Sequence, residues 1–325
     1  MRRRLADSLR HIARAIEGRI DFSSPALDAF LERLRRGPVS PLVFGAYCDL
    51  VLAADAGDLD AAKRCLAEIL GAQNHPGGPA IVDLADPRTD AAADRYARLV
   101  DTDPRRPFRI HPPPAAVAAA ARKRIAEAFA LMDRGHPELA AEIRVLLREI
   151  VLAVGDESPG AVDFDGVSSF MLWGAVVLNA RSHSTSIDLV QALAHESGHN
   201  LLFGLCADGP LVENDEDELY ASPLRKDRRP MDGVVHAAYV SARVREAMTR
   251  LLGSGELTRD QAKAAEAAAE ASRRAFASGM RTIERHAKLT ALGAAVMAGA
   301  REHRDAAAAK PARSAPARPP PARRR

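Results

Sequence analysis

The chain has 325 residues, 47% of them hydrophobic and 27% charged, so it is long enough to bury one large core or two smaller ones. Its three cysteines are too few and too scattered for a disulfide scaffold, which fits a reducing cytoplasm. No apolar run reaches membrane-spanning length and no signal-peptide core follows the basic N-terminus, so we expect a cytoplasmic globular protein without a membrane partner.

Residues 1–155 are predicted to form a mainly helical N-terminal region. Apolar residues at helical spacing indicate helices within residues 5–18, 26–36, 41–70, 115–132 and 138–154. A short strand is expected at 80–84. The prolines at 112–114 require an extended or irregular chain before the last two of these helices.

Residues 156–304 contain the segment His195-Glu196-Ser197-Gly198-His199, whose pattern HExxH is typical of metal-binding helices. They are predicted to hold the metal-binding catalytic region and to form one compact unit with the preceding helices. The segment Phe170–Asn179 has the composition of a strand, and Ile187–Phe203 that of a buried helix. Further helices are expected at 234–252 and 258–304. The predicted fold class is mostly α with a small β-sheet (α+β), in which a zincin-like strand precedes a metal-binding helix. The edge of such a strand can hold an extended peptide by backbone pairing.

The net charge of +3 is unevenly distributed along the chain. Residues 305–325 carry six basic side chains and one aspartate, a net charge of +5, so the rest of the chain carries −2. This Pro-, Ala- and Arg-rich segment cannot bury a core and is predicted to be a disordered basic tail. Because the folded part is nearly neutral, a nucleic-acid partner is not expected.

The segment His195-Glu196-Ser197-Gly198-His199 contains the pattern HExxH within a predicted helix. Since a helix repeats every 3.6 residues, His195 and His199 lie on one face and can bind the same metal ion. Glu196 then lies beside the ion as a base or as a polar group outside the ligand set. The motif predicts a metal centre but does not name its reaction.

A third metal ligand is needed, and the sequence offers two candidates. The metzincin extension is excluded because Leu202 and Leu205 occupy the places of its glycine and histidine. Glu218, in the acidic stretch 213–218, could serve as in a gluzincin-like site. His236 follows an irregular loop fixed by two prolines and a glycine, and it is expected in the first turn of the next helix. We favour His236 and leave Glu218 open.

Three segments together resemble the HExxH-motif peptide-modification proteins, which are described as α-ketoglutarate-dependent peptide β-hydroxylases. They are the strand end Gly174–Asn179, the HExxH segment 195–199, and Ser222–Ala237 with its pattern Ser-Pro-x-Arg-x-Asp-x-Arg-Pro-x-x-Gly-Val-x-His. The resemblance covers about residues 166–245. The joint pattern is much more specific than HExxH alone.

The resemblance implies an Fe(II) oxygenase that uses α-ketoglutarate (2-oxoglutarate) as cosubstrate. It also implies that the substrate is a ribosomally made precursor peptide. The protein would then have a role in the biosynthesis of modified peptides. His195, His199 and His236 are then the metal ligands, and Glu196 is a polar group of the active site. Arg225 and Arg229 match two arginines of the pattern, and a planar guanidinium suits the distal carboxylate of the cosubstrate.

Two other functions stay open at the level of sequence. A zinc-dependent peptidase would use Glu196 as the general base that activates water on Zn(II). A degenerate metal site could instead serve as a binding partner for another modification enzyme. Incorporation of oxygen into a peptide of unchanged length indicates the hydroxylase, whereas cleavage at a discrete bond indicates the peptidase.

Overall fold

A computed structural model of the chain describes residues 1–15, 18, 20, 22–102, 107–156, 162 and 164–309, with the backbone alone for 303–309. Its described residues form eleven α-helices: α1 (Arg2–Ala15), α2 (Ser24–Arg36), α3 (Pro41–Asp55), α4 (Leu59–Gly71), α5 (Ala91–Val100), α6 (Ala115–Gly135), α7 (Pro137–Leu146), α8 (Ser186–Leu205), α9 (Met231–Ser254), α10 (Arg259–His286) and α11 (Ala291–Ala309). The six strands are β1 (Ala80–Asp83), β2 (Glu149–Ala153), β3 (Gly166–Val167), β4 (Ala175–Asn179), β5 (Leu219–Tyr220) and β6 (Arg229–Pro230).

The strands form one small mixed sheet and one hairpin. The sheet has the order β1-β2-β4-β3, in which β1, β2 and β4 are parallel and β3 lies antiparallel at the edge. Strands β5 and β6 pair with each other to form the hairpin. The prediction of a mostly helical protein with a small sheet is confirmed.

Strand β2 corrects one prediction from the sequence. The helix expected over 138–154 ends at Leu146, and the chain continues as β2 from Glu149. All five residues of β2 are buried, because neighbouring strands and helices cover both of its faces. A buried strand of this kind shows no alternation of polar and apolar residues, so periodicity cannot separate it from a buried helix.

The predicted strand Phe170–Asn179 is shorter than expected. Its first part is a single turn of 3₁₀ helix at Phe170–Leu172, and Gly174 follows with a φ of +96°. That left-handed conformation favours glycine and turns the chain into β4. Strand β4 lies between β2 and β3, so the idea that its edge is free for a peptide is wrong, and β3 is the edge strand on this side.

The main hydrophobic core contains residues from both predicted regions, 1–155 and 156–304. Side chains of α6, α7 and β2 pack with those of β4, α8 and α9 in one buried cluster. Helices α1–α4 enclose a second cluster. A buried polar contact connects the two regions, since Glu149 at the start of β2 accepts hydrogen bonds from Ser40 and Tyr96.

The C-terminal region differs from the prediction in where the helix ends. Helix α11 continues to Ala309, five residues into the segment expected to be a tail, because the alanines of 306–309 favour helix. Residues 310–325 lie outside the described residues.

Helix α5 was not predicted. Within the described residues, every helix is too short or too polar to cross a membrane.

Candidate metal centre

Helix α8, which carries the HExxH motif, begins at a capping box. The Thr185 side chain accepts a hydrogen bond from the Asp188 N–H, and the Asp188 carboxylate accepts one from the Thr185 N–H. These two bonds fix the start of the helix. The helix then continues to Leu205, two residues beyond the expected end at Phe203, and presents His195 and His199 one turn apart on the same face.

Three histidines meet between α8 and α9. The Nε2 atoms of His195 and His199 are 3.2 Å apart. The Nδ1 atoms of His199 and His236 are also 3.2 Å apart. His236 lies in the second turn of α9 rather than the first, because this helix begins at Met231. The structure therefore brings together the three histidines that the sequence analysis favoured as ligands.

The spacing of two of these nitrogens fits a shared metal ion. Nitrogens that each lie about 2.1 Å from one ion are about 3.0–3.4 Å apart at bond angles of roughly 90–110°. His195 and His199 meet this condition, but His236 approaches the other nitrogen of the His199 ring. With the side chains in these positions, no group of three or more His, Cys, Asp or Glu residues in the described part of the chain is arranged to hold a metal ion.

Burial keeps the three imidazoles neutral. The pKa of His195 is lowered to about 4, mainly by burial and also by the nearby Arg225, while Asp165 opposes the shift. The pKa of His199 lies well below its ordinary value, and that of His236 is also lowered, in both cases mainly by burial. A neutral imidazole has a free lone pair, which is the form that binds a metal ion.

Glu196 is buried on the side of α8 that faces the edge strand. The Ser168 hydroxyl donates a hydrogen bond of 2.7 Å to its Oε2 atom. Burial raises the pKa of Glu196 to about 7, although the bond from Ser168 acts in the opposite direction. A Cβ atom at Gly166 would lie 3.2 Å from the Glu196 carboxyl, so the close approach of β3 to this side chain depends on glycine.

Asn200 connects the same face of α8 to the sheet by hydrogen bonds. Its Oδ1 atom accepts the Gly174 N–H at 2.8 Å, and its Nδ2 atom donates to the Ala175 carbonyl and to the Ser168 hydroxyl, each at 3.2 Å. The side chain is fully buried. These bonds position the helix that carries the histidines. The sequence signal for this role is a polar residue four positions after Glu196 on a buried face, and it was missed.

Two further neighbours complete the surroundings of His236. The Asp232 carboxylate lies 3.7 Å from its Nε2 atom, one helical turn earlier in α9. The Phe203 ring lies 5.6 Å from the His236 ring and 6.2 Å from the His199 ring, measured between centroids. The Nδ1 atom of His236 thus faces His199, and its Nε2 atom faces a carboxylate.

A cavity of about 200 Å³ adjoins the edge strand and contains both predicted arginines. Arg225 and Arg229 line it together with Ser168, Ser169 and Phe108. Arg225 also lowers the pKa of His195, Glu196 and His199, so its positive charge acts on the histidine cluster itself. The Nε atom of Arg229 forms an ion pair of 2.8 Å with Asp227.

Glu218, the alternative third ligand, is engaged elsewhere. Its carboxylate accepts a hydrogen bond of 2.5 Å from the Tyr220 hydroxyl and a weak one from Asn214. The Asn214 side chain in turn donates to the His286 carbonyl at the end of α10. These bonds direct the Glu218 carboxylate towards the end of α10 and not towards His199.

The structure thus brings His195, His199 and His236 together, and the charge of Arg225 acts on His195, His199 and Glu196. Sequence reasoning did not identify the positioning contacts of Ser168, Asn200 and Asp232, which depend on the packing of β3, β4 and α9. Comparison with known proteins adds no name to this arrangement, since no protein-family model and no curated protein sequence matches the chain.

Proposed function

We propose that this protein is an Fe(II)- and α-ketoglutarate-dependent hydroxylase that adds one oxygen atom to a β-carbon in a ribosomally made peptide. The observation that carries the proposal is the combination of three buried neutral imidazoles with a cavity that contains two arginines. A metal ion and a small dicarboxylate are the ligands that such groups bind. The resemblance over residues 166–245 supports the same function.

In this proposal, a turn of one ring brings the three histidines to one ion. A half-turn of the His199 ring about its Cβ–Cγ bond exchanges the places of Nε2 and Cε1. The new place of Nε2 lies between the ring atoms that contact His195 and His236. His195, His199 and His236 then form the ligand set, with Fe(II) as the ion.

When bound, Fe(II) with α-ketoglutarate and O₂ supplies the oxidation, in which one oxygen atom enters a C–H bond of the peptide while succinate and CO₂ are released. The protein's part is to bind and orient. Three neutral imidazoles leave the 2+ charge of the ion uncompensated, which favours the anionic cosubstrate. Glu196, held by Ser168, is a polar group beside the histidines and outside the ligand set.

Arg225 is the better candidate for the distal carboxylate of α-ketoglutarate. Both arginines line the cavity, but Arg229 already has the Asp227 carboxylate as a partner. Arg225 acts electrostatically on His195, Glu196 and His199, which places its charge close to the proposed metal ion. A guanidinium can bind a carboxylate through two parallel hydrogen bonds.

The peptide substrate is proposed to pair with β3. This short strand is the edge of the sheet, and Ser168 and Ser169, which follow it, line the cavity. Backbone pairing holds an extended peptide independently of most of its side chains. The pairing would lead the substrate past Glu196 towards the histidine cluster.

A zinc-dependent peptidase is the second candidate. It is supported by Glu196, which follows His195 in the motif. Its side chain is buried and lies beside the edge strand. In that function Zn(II) replaces Fe(II), and the Glu196 carboxylate takes a proton from water. Cleavage of a peptide bond is then the product-forming step.

One experiment separates the two functions. The purified protein is mixed anaerobically with Fe(II) and α-ketoglutarate, and the visible charge-transfer absorption of the complex is recorded. O₂ and candidate peptides are then added, and succinate and peptide masses are measured. The hydroxylase gives the absorption band, succinate, and a peptide heavier by one oxygen atom. A shortened peptide in a parallel reaction with Zn(II), without succinate in either reaction, identifies the peptidase.

A further inference from the structure

Among the described residues, seven large hydrophobic side chains are exposed, and four of them lie on the 3₁₀ turn at Phe170–Leu172, at the end of α8 and on the β5–β6 hairpin. These four are Phe170, Leu205, Leu219 and Leu224. Single exposed apolar residues are ordinary, whereas their concentration at one site marks a surface that binds something.

Phe170 forms an apolar wall with Phe203. Its ring meets the Phe203 ring edge to face, with centroids 5.9 Å apart, yet the residue is 48% exposed. The Phe203 ring lies 22° from parallel to the His199 ring. The wall, defined here as Phe170 and Phe203, therefore extends directly from the proposed metal ligands to solvent.

The tip of the β5–β6 hairpin brings positive charge to the same place. It contains Arg225, Lys226 and Arg228 against one carboxylate, Asp227, which is already paired with Arg229. Arg225 lines the cavity together with Ser169, the residue before Phe170. The cavity therefore lies beside the residue that precedes Phe170 and beside the first cationic residue of the tip.

We propose that this surface recognises the substrate peptide by two side chains, a large apolar one on the Phe170–Phe203 wall and an acidic one at the hairpin tip. Extended chain advances about 3.3 Å per residue, so side chains two positions apart project about 7 Å apart on one side of the peptide. This spacing, apolar-x-acidic, is part of the proposal. The inference rests on the proposed function only in taking a peptide as the substrate.

The test measures peptide binding without turnover. The full chain is loaded with Fe(II) and α-ketoglutarate under nitrogen, and fluorescent decapeptides are titrated by anisotropy. Four peptides share a Gly/Ser background and carry Phe-x-Asp, Ala-x-Asp, Phe-x-Asn or Ala-x-Asn at the centre. We expect Phe-x-Asp to bind best, with loss of the phenyl ring costing about ten- to a hundred-fold in Kd. Its affinity should also fall as salt is added, because the acidic contact is exposed.

Variants of the protein locate the two contacts. Phe170→Ala should remove the preference for Phe over Ala, and Phe170→Leu should keep part of it. Lys226→Gln should reduce the preference for Asp over Asn. Leu52→Ala, which changes an exposed leucine on α3, is the matched control and should alter neither. Fe(II) content of each variant, compared with the parent, reports that the metal centre is intact.

The outcomes separate this inference from the proposed function. Equal binding of the four peptides, or an unchanged Phe preference in Phe170→Ala, overturns the recognition surface. If oxygen is incorporated into peptides irrespective of Phe170, the hydroxylase stands and the surface is rejected. If the preferences appear but O₂ yields no succinate, the surface stands and the hydroxylase is rejected.

Discussion

Substitution of His195 or His199 is expected to reduce metal binding more than any other single substitution. Replacing either with alanine should abolish stoichiometric Fe(II) binding, because two of the proposed ligands are 3.2 Å apart and act together. Circular dichroism should show that the variants stay folded. His286→Ala, at the far end of α10, is the control. Full metal occupancy in the His195→Ala, His199→Ala double variant would refute the metal centre.

Asp232 is expected to orient His236. Its carboxylate faces the His236 Nε2 atom at 3.7 Å, which leaves Nδ1 for the ion. Such outer partners typically contribute about ten- to a hundred-fold to metal affinity. We therefore expect Asp232→Asn to weaken Fe(II) binding by this factor in competition with a chelator. Asp260→Asn is a matched control, because Asp260 also occupies the second position of its helix. Equal loss in both variants would show an effect of the helix end alone.

Arg225 is expected to bind α-ketoglutarate. A charged bidentate contact contributes roughly 1.5–3 kcal/mol, so Arg225→Ala should weaken apparent α-ketoglutarate affinity about ten- to a hundred-fold. Lys should rescue it only in part, because an ammonium lacks the planar fork. Succinate release against cosubstrate concentration measures the effect, and Fe(II) content should not change. Arg229→Ala is the comparison. If neither variant changes the affinity, the anchor lies outside this loop.

At the scale of elements, α8 depends on its attachment to the sheet through Asn200. Asn200→Ala leaves the buried Gly174 N–H without its acceptor and removes three further bonds, which the Asn200 amide nitrogen donates. An unsatisfied buried group costs about 1–3 kcal/mol, so we expect the free energy of unfolding to fall by at least that amount. Chemical denaturation measures the change. Asn214→Ala, which affects a half-buried side chain, should cost less.

Sequence patterns predicted the elements whose signals are local. The apolar residues within 187–203 indicated α8, and the i, i+4 spacing of its histidines placed them on one face. Strand β2 was mistaken for helix because burial on both faces removes any periodicity. The third ligand could be ranked but not resolved, since the approach of α9 to α8 is a tertiary contact. The hydrogen bond from Tyr220 to Glu218 is local but depends on the conformation of the β5–β6 hairpin, which was not predicted.

At the scale of the whole molecule, the C-terminal segment should be dispensable for catalysis. Its composition cannot bury a core and offers no ligand to the metal centre. A chain ending at Ala309, where α11 ends, should keep the kcat of the full chain on a free peptide. Turnover measured side by side tests this. A large loss of kcat would show that residues 310–325 contribute to the site.

His199 and His236 are 37 residues apart in the chain, yet their Nδ1 atoms are 3.2 Å apart. An ion held by both would act as a cross-link that closes the intervening chain, hairpin included, into a loop, and only the folded state could form it. Binding of that kind adds to the free energy of unfolding, by about 2.7 kcal/mol at a free ion concentration a hundred times Kd. Iron supply would then govern how long the folded chain survives in the cell, as well as how fast it works.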